Sequence, residues 1–236
     1  MPEEIDITFD FRSDTPTGKD PDTFSPTLRR YHKLLWSKTL PGGALFELDD
    51  SRRRLYLHHR SELGEYFLSS DAVVPSFTRE PRLSHIMSEV PVSERDAFNR
   101  LGYTIGGMMV FPGDSIDGKM TINCARGCHP RIKDRFDLTV ECIRRYYQDE
   151  TSPLSAVLGR YPTFFQLFRD FRGYVEFFML QDMVSDDFSG VKFFSPFENF
   201  RPFPLPATLE AYMAYKRLAM GFIEARNRRI LAEHSW

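Results

Sequence analysis

The chain has 236 residues, 42% of them hydrophobic and 27% charged, with a formal net charge of −2. That length suits one domain with a sizeable core, and the near-neutral balance argues against a surface that binds polyanions indiscriminately, while leaving room for a local basic patch. Twenty-two phenylalanines are the compositional exception and imply a core of large flat side chains, or a ligand site lined by them. The N-terminal Glu3, Glu4 and Asp6 do not resemble a signal peptide, and no apolar run approaches the ~20 residues of a membrane helix. Three cysteines leave one unpaired in any disulfide scheme. A reducing cytosol is the expected setting, with no membrane partner.

Ile5, Ile7, Phe9 and Phe11 alternate with Asp6, Thr8, Asp10 and Arg12, the period-two pattern of a half-buried strand. The following SDTPTGKDPDTFSP is turn chemistry. Ser25 and Pro26 make an N-cap and first-turn pair for a helix running to about Lys38, stopped by Pro41-Gly42-Gly43. Ala44–Leu48 and Leu55–His59, joined by DDSRRR, read as a hairpin. Ser93 caps a short helix through Leu101, and Gly102 ends it. Two strands are predicted next, Tyr103–Phe111 and Lys119–Asn123, around a glycine-rich turn.

From Pro130 the period becomes helical, with Ile132, Phe136, Val140, Ile143 and Tyr147 on one face. Thr163–Val184 is apolar on nearly every side and predicts a helix in the middle of a core. Asp187–Pro206, rich in Phe and Pro, reads as an ordered crossing loop, and Thr208 caps a final helix to about Ile230. Without repeats or a linker, the expected fold is a single α+β domain over residues 1–236. A mostly antiparallel sheet from the N-terminal half is packed by helices from the C-terminal half.

The chemistry concentrates in the corner ahead of the Pro130 helix. Between Arg126 and Arg145, six basic residues face three acidic ones. Free N–H groups at a helix start and forked guanidiniums favour an anion there. Arg126, Arg131, Lys133 and Arg135 are therefore candidate ligands for a phosphorylated small molecule or nucleotide, with Lys119 and Asn123 contributing from the preceding strand. His129 is the candidate general acid or base, assisted by Asp137 or Glu141. The ordinary alternative is a solvated helix face, with Glu141 paired to Arg145 and Arg131 to Asp134 at helical spacing. In that case His129 is simply a neighbour of the cap.

Other motifs carry less. Cys124, Cys128, His129 and Cys142 lack the paired spacing of a zinc site, since close ligand pairs occur once at most, and no metal is expected. Cys128, near a helix start and several arginines, is a weaker candidate nucleophile. Gly106-Gly107 and Gly113/Gly118 match neither a dinucleotide fingerprint nor a P-loop, and mark a bulge or a close backbone approach. Asp10 and Asp14 would suit a divalent ion, although solvated loop charges are the simpler account. His58 and His59 end a strand and face opposite sides. Arg54/His59, Arg79/His85 and Arg229/His234 match the loose Arg–His spacing of helical ribonucleases, but in contexts that make the matches chance.

The rival functional class is a non-catalytic module for nucleic acid or a partner protein. It would use the basic first helix (Arg29, Arg30, Lys33) and the Phe/Pro-rich loop at Phe193–Phe203, whose rings would have to be exposed in a continuous stripe. A third possibility is a homodimer contact across Arg144 and Arg145.

The runs DFRSDTPTGKDPDTFSPTLRRYHKLLWSK, YTIGGMMVFPG, GKMTIN, ARG, HPRIKDRFDLTVECIRRYY and FFQLFRDFRGYVEFFMLQD resemble an uncharacterised bacterial family known only as a domain of unknown function. The likeness extends over nearly the whole chain and implies a bacterial cytosolic protein. It brings no activity, substrate or catalytic residue with it. No motif specifies a reaction, a cofactor or an oligomeric state, or decides whether the chain is an enzyme.

Overall fold

Turn chemistry organises the N-terminal segment where a strand is predicted. The computed structural model describes residues 4–51 and 56–234, and residues 4–20 run through it as successive turns. Asp6 Oδ1 accepts from the Thr8 N–H at 2.8 Å and the Thr8 hydroxyl at 2.7 Å, and Asp10 accepts from the Arg12 N–H at 3.1 Å. Each aspartate closes a local turn that competes with strand pairing. Ile5 and Phe11 are nonetheless buried, so the alternation records burial without recording the backbone that achieves it.

Two capped helices follow, α1 (Pro21–Phe24) and α2 (Pro26–Trp36), each with proline in its first turn; Asp20 accepts from the Asp22 N–H and Ser25 from the Leu28 N–H. The pair β1 (Lys38–Thr39) and β2 (Leu45–Phe46) closes around Pro41-Gly42-Gly43. Among the described residues, the predicted hairpin of Ala44–Leu48 with Leu55–His59 shrinks to one antiparallel bridge, Asp49 to His58. Arg52, Arg53, Arg54 and Leu55, which belong to it, lie outside the described residues. The main sheet pairs β3 (Leu57–Ser61) with β4 (Gly64–Ala72), and β4 with β5 (Met108–Pro112), all antiparallel.

Between the last two strands lie α3 (Ser84–Glu89) and α4 (Val92–Gly102). The strand predicted from Tyr103 begins only at Met108, because Ile105–Gly107 form a 3₁₀ turn pressed against its neighbours. A Cβ on Gly106 would stand 2.5 Å from Ile223 O, and one on Gly107 2.3 Å from Gly102 O, so the close approach expected of these glycines is realised. Lys119–Asn123 is not a strand. Thr121 accepts from the Cys124 N–H and opens α5 (Ile122–Cys128).

The long amphipathic helix, α6 (Phe136–Tyr147), begins at Phe136 rather than Pro130, after a turn in which Lys133 and Asp134 take positive φ. Its apolar stripe is buried as expected apart from the half-buried Tyr147, but so are Asp137, Thr139 and Glu141. The crossing loop lies over that second face, with the Phe194 N–H donating to Asp137 at 2.9 Å and the Phe197 and Phe200 rings against Arg145. A solvated face is therefore not what this helix presents.

Thr163–Val184 is not one helix. After α7 (Ser155–Leu158), the segment breaks into α8 (Pro162–Gln166), α9 (Phe171–Phe177) and a 3₁₀ turn, with Arg169 and Met179 at positive φ. Asp170 re-caps the chain by accepting from the Gly173 N–H at 2.7 Å. Its rings still fill the core, with Phe164, Phe165, Phe168, Phe177 and Phe178 all buried. The final helix, α10 (Leu209–His234), starts with Thr208 accepting from the Ala211 N–H and packs on α4 and the Ile105–Gly107 turn. The fold is α+β: ten α-helices among the described residues around two small antiparallel sheets drawn from the N-terminal half.

Candidate anion-binding cleft

The basic corner divides into internal struts and one cleft residue. Arg126, on α5, is fully buried. Its Nη1 meets the carboxylates of Asp71 and, at 2.7 Å, Asp134; Nη2 donates to Asp134 O at 2.7 Å and Val73 O at 3.0 Å; Nε reaches Thr139 Oγ1 at 3.4 Å. All the N–H groups of a guanidinium are thereby committed, so Arg126 braces β4 against the α5–α6 turn and has nothing left for a ligand. Arg135 is likewise buried, forked onto Asp137 and donating to Ser195 Oγ and, at 3.0 Å, Pro204 O.

Asp137 and Glu141 are not available as partners of His129. Asp137 is held by Arg135 and the Phe194 N–H, and Glu141 accepts from Arg144 at 2.8 and 2.9 Å and from Arg145 at 2.7 Å. The Arg135–Asp137 pair fastens the start of α6 to the crossing loop, whereas the Glu141 pairs lie within α6 and occupy Arg144 and Arg145. His129 caps the end of α5, half-buried, with Nδ1 accepting from the Arg131 N–H at 3.2 Å. Burial, then the Arg131 charge, lowers its pKa from the ordinary value. Lys119 and Arg131 are exposed, and Asn123 Nδ2 donates to Ser69 Oγ at 3.1 Å. None of these lines the cleft. The last corner residue, Lys133, does.

That cleft has a volume of about 830 Å³. Its walls are the loop carrying Arg12 and Lys19, the strand-exit segment carrying Phe77 and Arg79, the face of α4 with Asn99, and the α5–α6 turn with Lys133. Four basic side chains (Arg12, Lys19, Arg79, Lys133) and two acidic ones (Glu80, Asp134) border it. Arg12 is forked on Asp10 and stands 5.1 Å above the Tyr103 ring; Lys19 lies 5.4 Å over Phe24. Asp134 is spent on Arg126. Arg79 and Lys133 have no ion-pair partner among the described residues, so two basic side chains on the border of the cleft are left without a fixed counter-charge. On the α4 side, Ser76 donates to Asn99 Oδ1 and the Asn99 amide reaches Thr78 Oγ1 at 3.4 Å, a small polar network between the aromatic walls.

Behind the cleft, Asp22 and Asp71 form a carboxyl pair. Asp22 Oδ2 accepts from the Ala72 N–H at 2.9 Å, and Oδ1 is buried without a donor. Burial, then the neighbouring Asp71 charge, pushes the Asp22 carboxyl up to about 8. Burial also raises Asp71, but Arg126 opposes it. Because only Asp71 meets a cation, Asp71 keeps the charge and Asp22 takes the proton.

Sequence reasoning missed Arg79, Asn99 and Tyr103 as site residues, and gave no ligand role to Arg12 or Lys19. The turn-rich run after Asp10 was the available signal, since loops with fixed turns carry functional groups. Asp10 and Asp14 do not join in a cation site: Asp14 accepts from Ser25 Oγ at 2.6 Å and the Thr27 N–H at 3.0 Å, and Asp10 holds Arg12. His58 contacts Glu65 at 2.8 Å, whereas His59 is bound to Glu47 O and Ser61 Oγ, both at 2.7 Å.

The likeness read from the sequence is matched by a family model, that of a family of unknown function, DUF6994, over residues 5–230. The chain belongs to DUF6994. The cleft, the Arg126 strut and α10 as far as residue 230 all fall within the matched span. No curated protein and no solved structure matches the chain. Membership of DUF6994 brings no activity with it, so function rests on the residues of the cleft. Among the described residues, no helix is long and apolar enough to cross a membrane.

Proposed function

We propose that this protein binds a small phosphorylated molecule or nucleotide in the cleft between the Arg12–Lys19 loop and the α5–α6 turn. The supporting observation is the meeting of Arg79 and Lys133, two cations without carboxylate partners among the described residues, across a hollow of about 830 Å³. That volume is within the range of small-molecule sites. Phosphate oxygens suit both cations, Arg79 as a fork and Lys133 as a point charge. Tyr103 and Phe77 offer flat apolar surface to a base or sugar, and Asn99 with Ser76 offers polar contacts beside it. Cys124, Cys128 and Cys142 are free thiols, which fits the reducing bacterial cytosol expected for the protein.

The nucleic-acid reading draws less support. Phe194 and Phe200 are core residues, Phe193 stacks on Phe197 at 4.0 Å, and Arg29 and Lys33 are turned onto Tyr56 O and Asp50. Of the rings in this loop only Phe203 is exposed, 5.3 Å from Arg82, which gives no continuous stripe for bases.

Calorimetric titration with nucleoside phosphates and sugar phosphates tests the cleft. With each charge-assisted bond contributing about 1.5–3 kcal/mol, Arg79→Ala combined with Lys133→Ala should weaken binding at least a hundredfold. Equal affinity in wild type and the double variant removes the site.

A further inference from the structure

Arg226, on α10, is fully buried and, unlike Arg126 and Arg135, has no carboxylate partner among the described residues. Its Nη1 donates to Gly106 O at 3.1 Å and Met108 O at 2.7 Å, and Nη2 donates to Phe178 O at 3.1 Å. Three backbone carbonyls supply partial charge but no counter-ion. Burial lowers its pKa to about 10, which still leaves a cation at neutral pH. Its Nε–H has no acceptor among the described residues.

Three more buried polar atoms around it share that condition: His32 Nε2, Trp36 Nε1 and Tyr174 Oη. The residues are 0%, 0% and 1% exposed. These residues pack in one neighbourhood. Arg226 Cζ is 5.8 Å from the Trp36 ring centre, and Phe178, whose carbonyl takes Nη2, packs its ring at 5.2 Å from Trp36 and 4.9 Å from Tyr174. His32 precedes Trp36 by one turn of α2. After burial, the Arg226 charge is the cause that depresses His32 protonation, to about 3.

Buried donors are almost always satisfied, and each one left open costs about 1–3 kcal/mol; a buried charge without a counter-charge costs more. The donor character of these atoms decides what would satisfy them. Arg226 Nε and Trp36 Nε1 only donate. The Tyr56 hydroxyl stands 3.3 Å from His32 Nδ1, and with that nitrogen as acceptor the ring hydrogen is on Nε2. A water placed among them would meet donors, with only Tyr174 Oη to receive its own hydrogens. A monoanion accepts from all four and neutralises the guanidinium.

We propose that His32, Trp36, Tyr174 and Arg226 hold a buried small monovalent anion of the halide class, the counter-charge of Arg226. It fastens α2, α9 and α10 to the entrance of β5. The site is separate from the cleft, and neither reading depends on the other.

Crystals of the wild-type protein grown from sodium bromide, with data at the bromine absorption edge, locate the ion directly. An anomalous peak within hydrogen-bonding distance of Arg226 Nε and Trp36 Nε1 is the expected result. Density without anomalous signal there, whether a water or nothing, overturns the proposal. In solution, Trp236→Phe leaves Trp36 as the one remaining tryptophan. That variant, exchanged into gluconate, should show saturable bromide quenching and a Tm that rises to a plateau with bromide at constant ionic strength. Adding Arg226→Gln should abolish both responses. Responses independent of bromide in the Trp236→Phe protein refute the site, whether or not the Arg226 variant folds.

Discussion

The carboxyl pair behind the cleft makes stability depend on pH in an unusual direction. Asp22 is held protonated by burial and by Asp71, with its pKa raised from the ordinary 3.8 to about 8. Below about pH 4 the residue is protonated in folded and unfolded chains alike. Between about 4 and 8 the unfolded chain releases a proton that the folded chain retains, so stability falls as pH rises across this window and levels off above it. At about 1.4 kcal/mol per pH unit the ceiling is near 6 kcal/mol; halved for the partial exposure of the carboxyl and its sharing with Asp71, the expected loss is roughly 3 kcal/mol. Asp22→Asn retains an oxygen for the Ala72 N–H and cannot ionise. The variant should therefore match wild type near pH 4 and exceed it by roughly 3 kcal/mol at pH 8.5, with an unchanged urea m-value. Urea titrations of both proteins from pH 4 to 9 give the difference directly, and other acid effects cancel in it. A constant difference across the window, or a variant weaker than wild type at pH 8.5, refutes the assignment of the proton to Asp22.

Two further substitutions test the struts and the backbone contacts. Arg126→Ala strands Asp71 and leaves the Val73 and Asp134 carbonyls without donors, and should cost about 3–5 kcal/mol of unfolding free energy; a loss under about 1 kcal/mol would show that the strut is not formed. Gly106→Ala drives a Cβ to 2.5 Å from the backbone oxygen Ile223 O, which cannot swing aside, so a loss of about 2 kcal/mol or more and a Tm lower by several degrees are expected in a thermal melt. An unchanged Tm would contradict the tight seat of α10 on the Ile105–Gly107 turn.

Local signals in the sequence were legible where one residue type has one physical use. Ser25-Pro26 and Thr208 start helices because a side-chain acceptor and a fixed φ suit the first turn wherever the helix then packs. Gly106-Gly107 could be read as a close approach, although the backbone that approaches Gly106, from α10, comes from more than a hundred residues away, while Gly107 meets the nearby Gly102. Periodicity found burial reliably and conformation less so. Ile5–Phe11 alternates because its apolar residues enter the core between Asx turns, and the phenylalanines after Thr163 enter it from short helices broken at Arg169 and Met179. The corner misled because charge in sequence carries no partner. Arg126 and Arg135 are basic residues whose acids, Asp71 and Asp137, are set against them by the fold, and Asp71 is on a strand, β4, that the period-two reading passed over. The cleft itself joins four separated segments, so only Lys133 of the predicted ligands reaches it.

Amide chemical-shift mapping during titration with a nucleoside diphosphate and with inorganic pyrophosphate tests the cleft most directly. Saturable shifts at Gly18, Lys19, Arg79, Gly127 and Lys133, lost in the Arg79→Ala, Lys133→Ala protein, are the result predicted. Saturable shifts confined to α2 and the Phe193–Phe203 loop, or no saturable shift at any of the five positions, would contradict it.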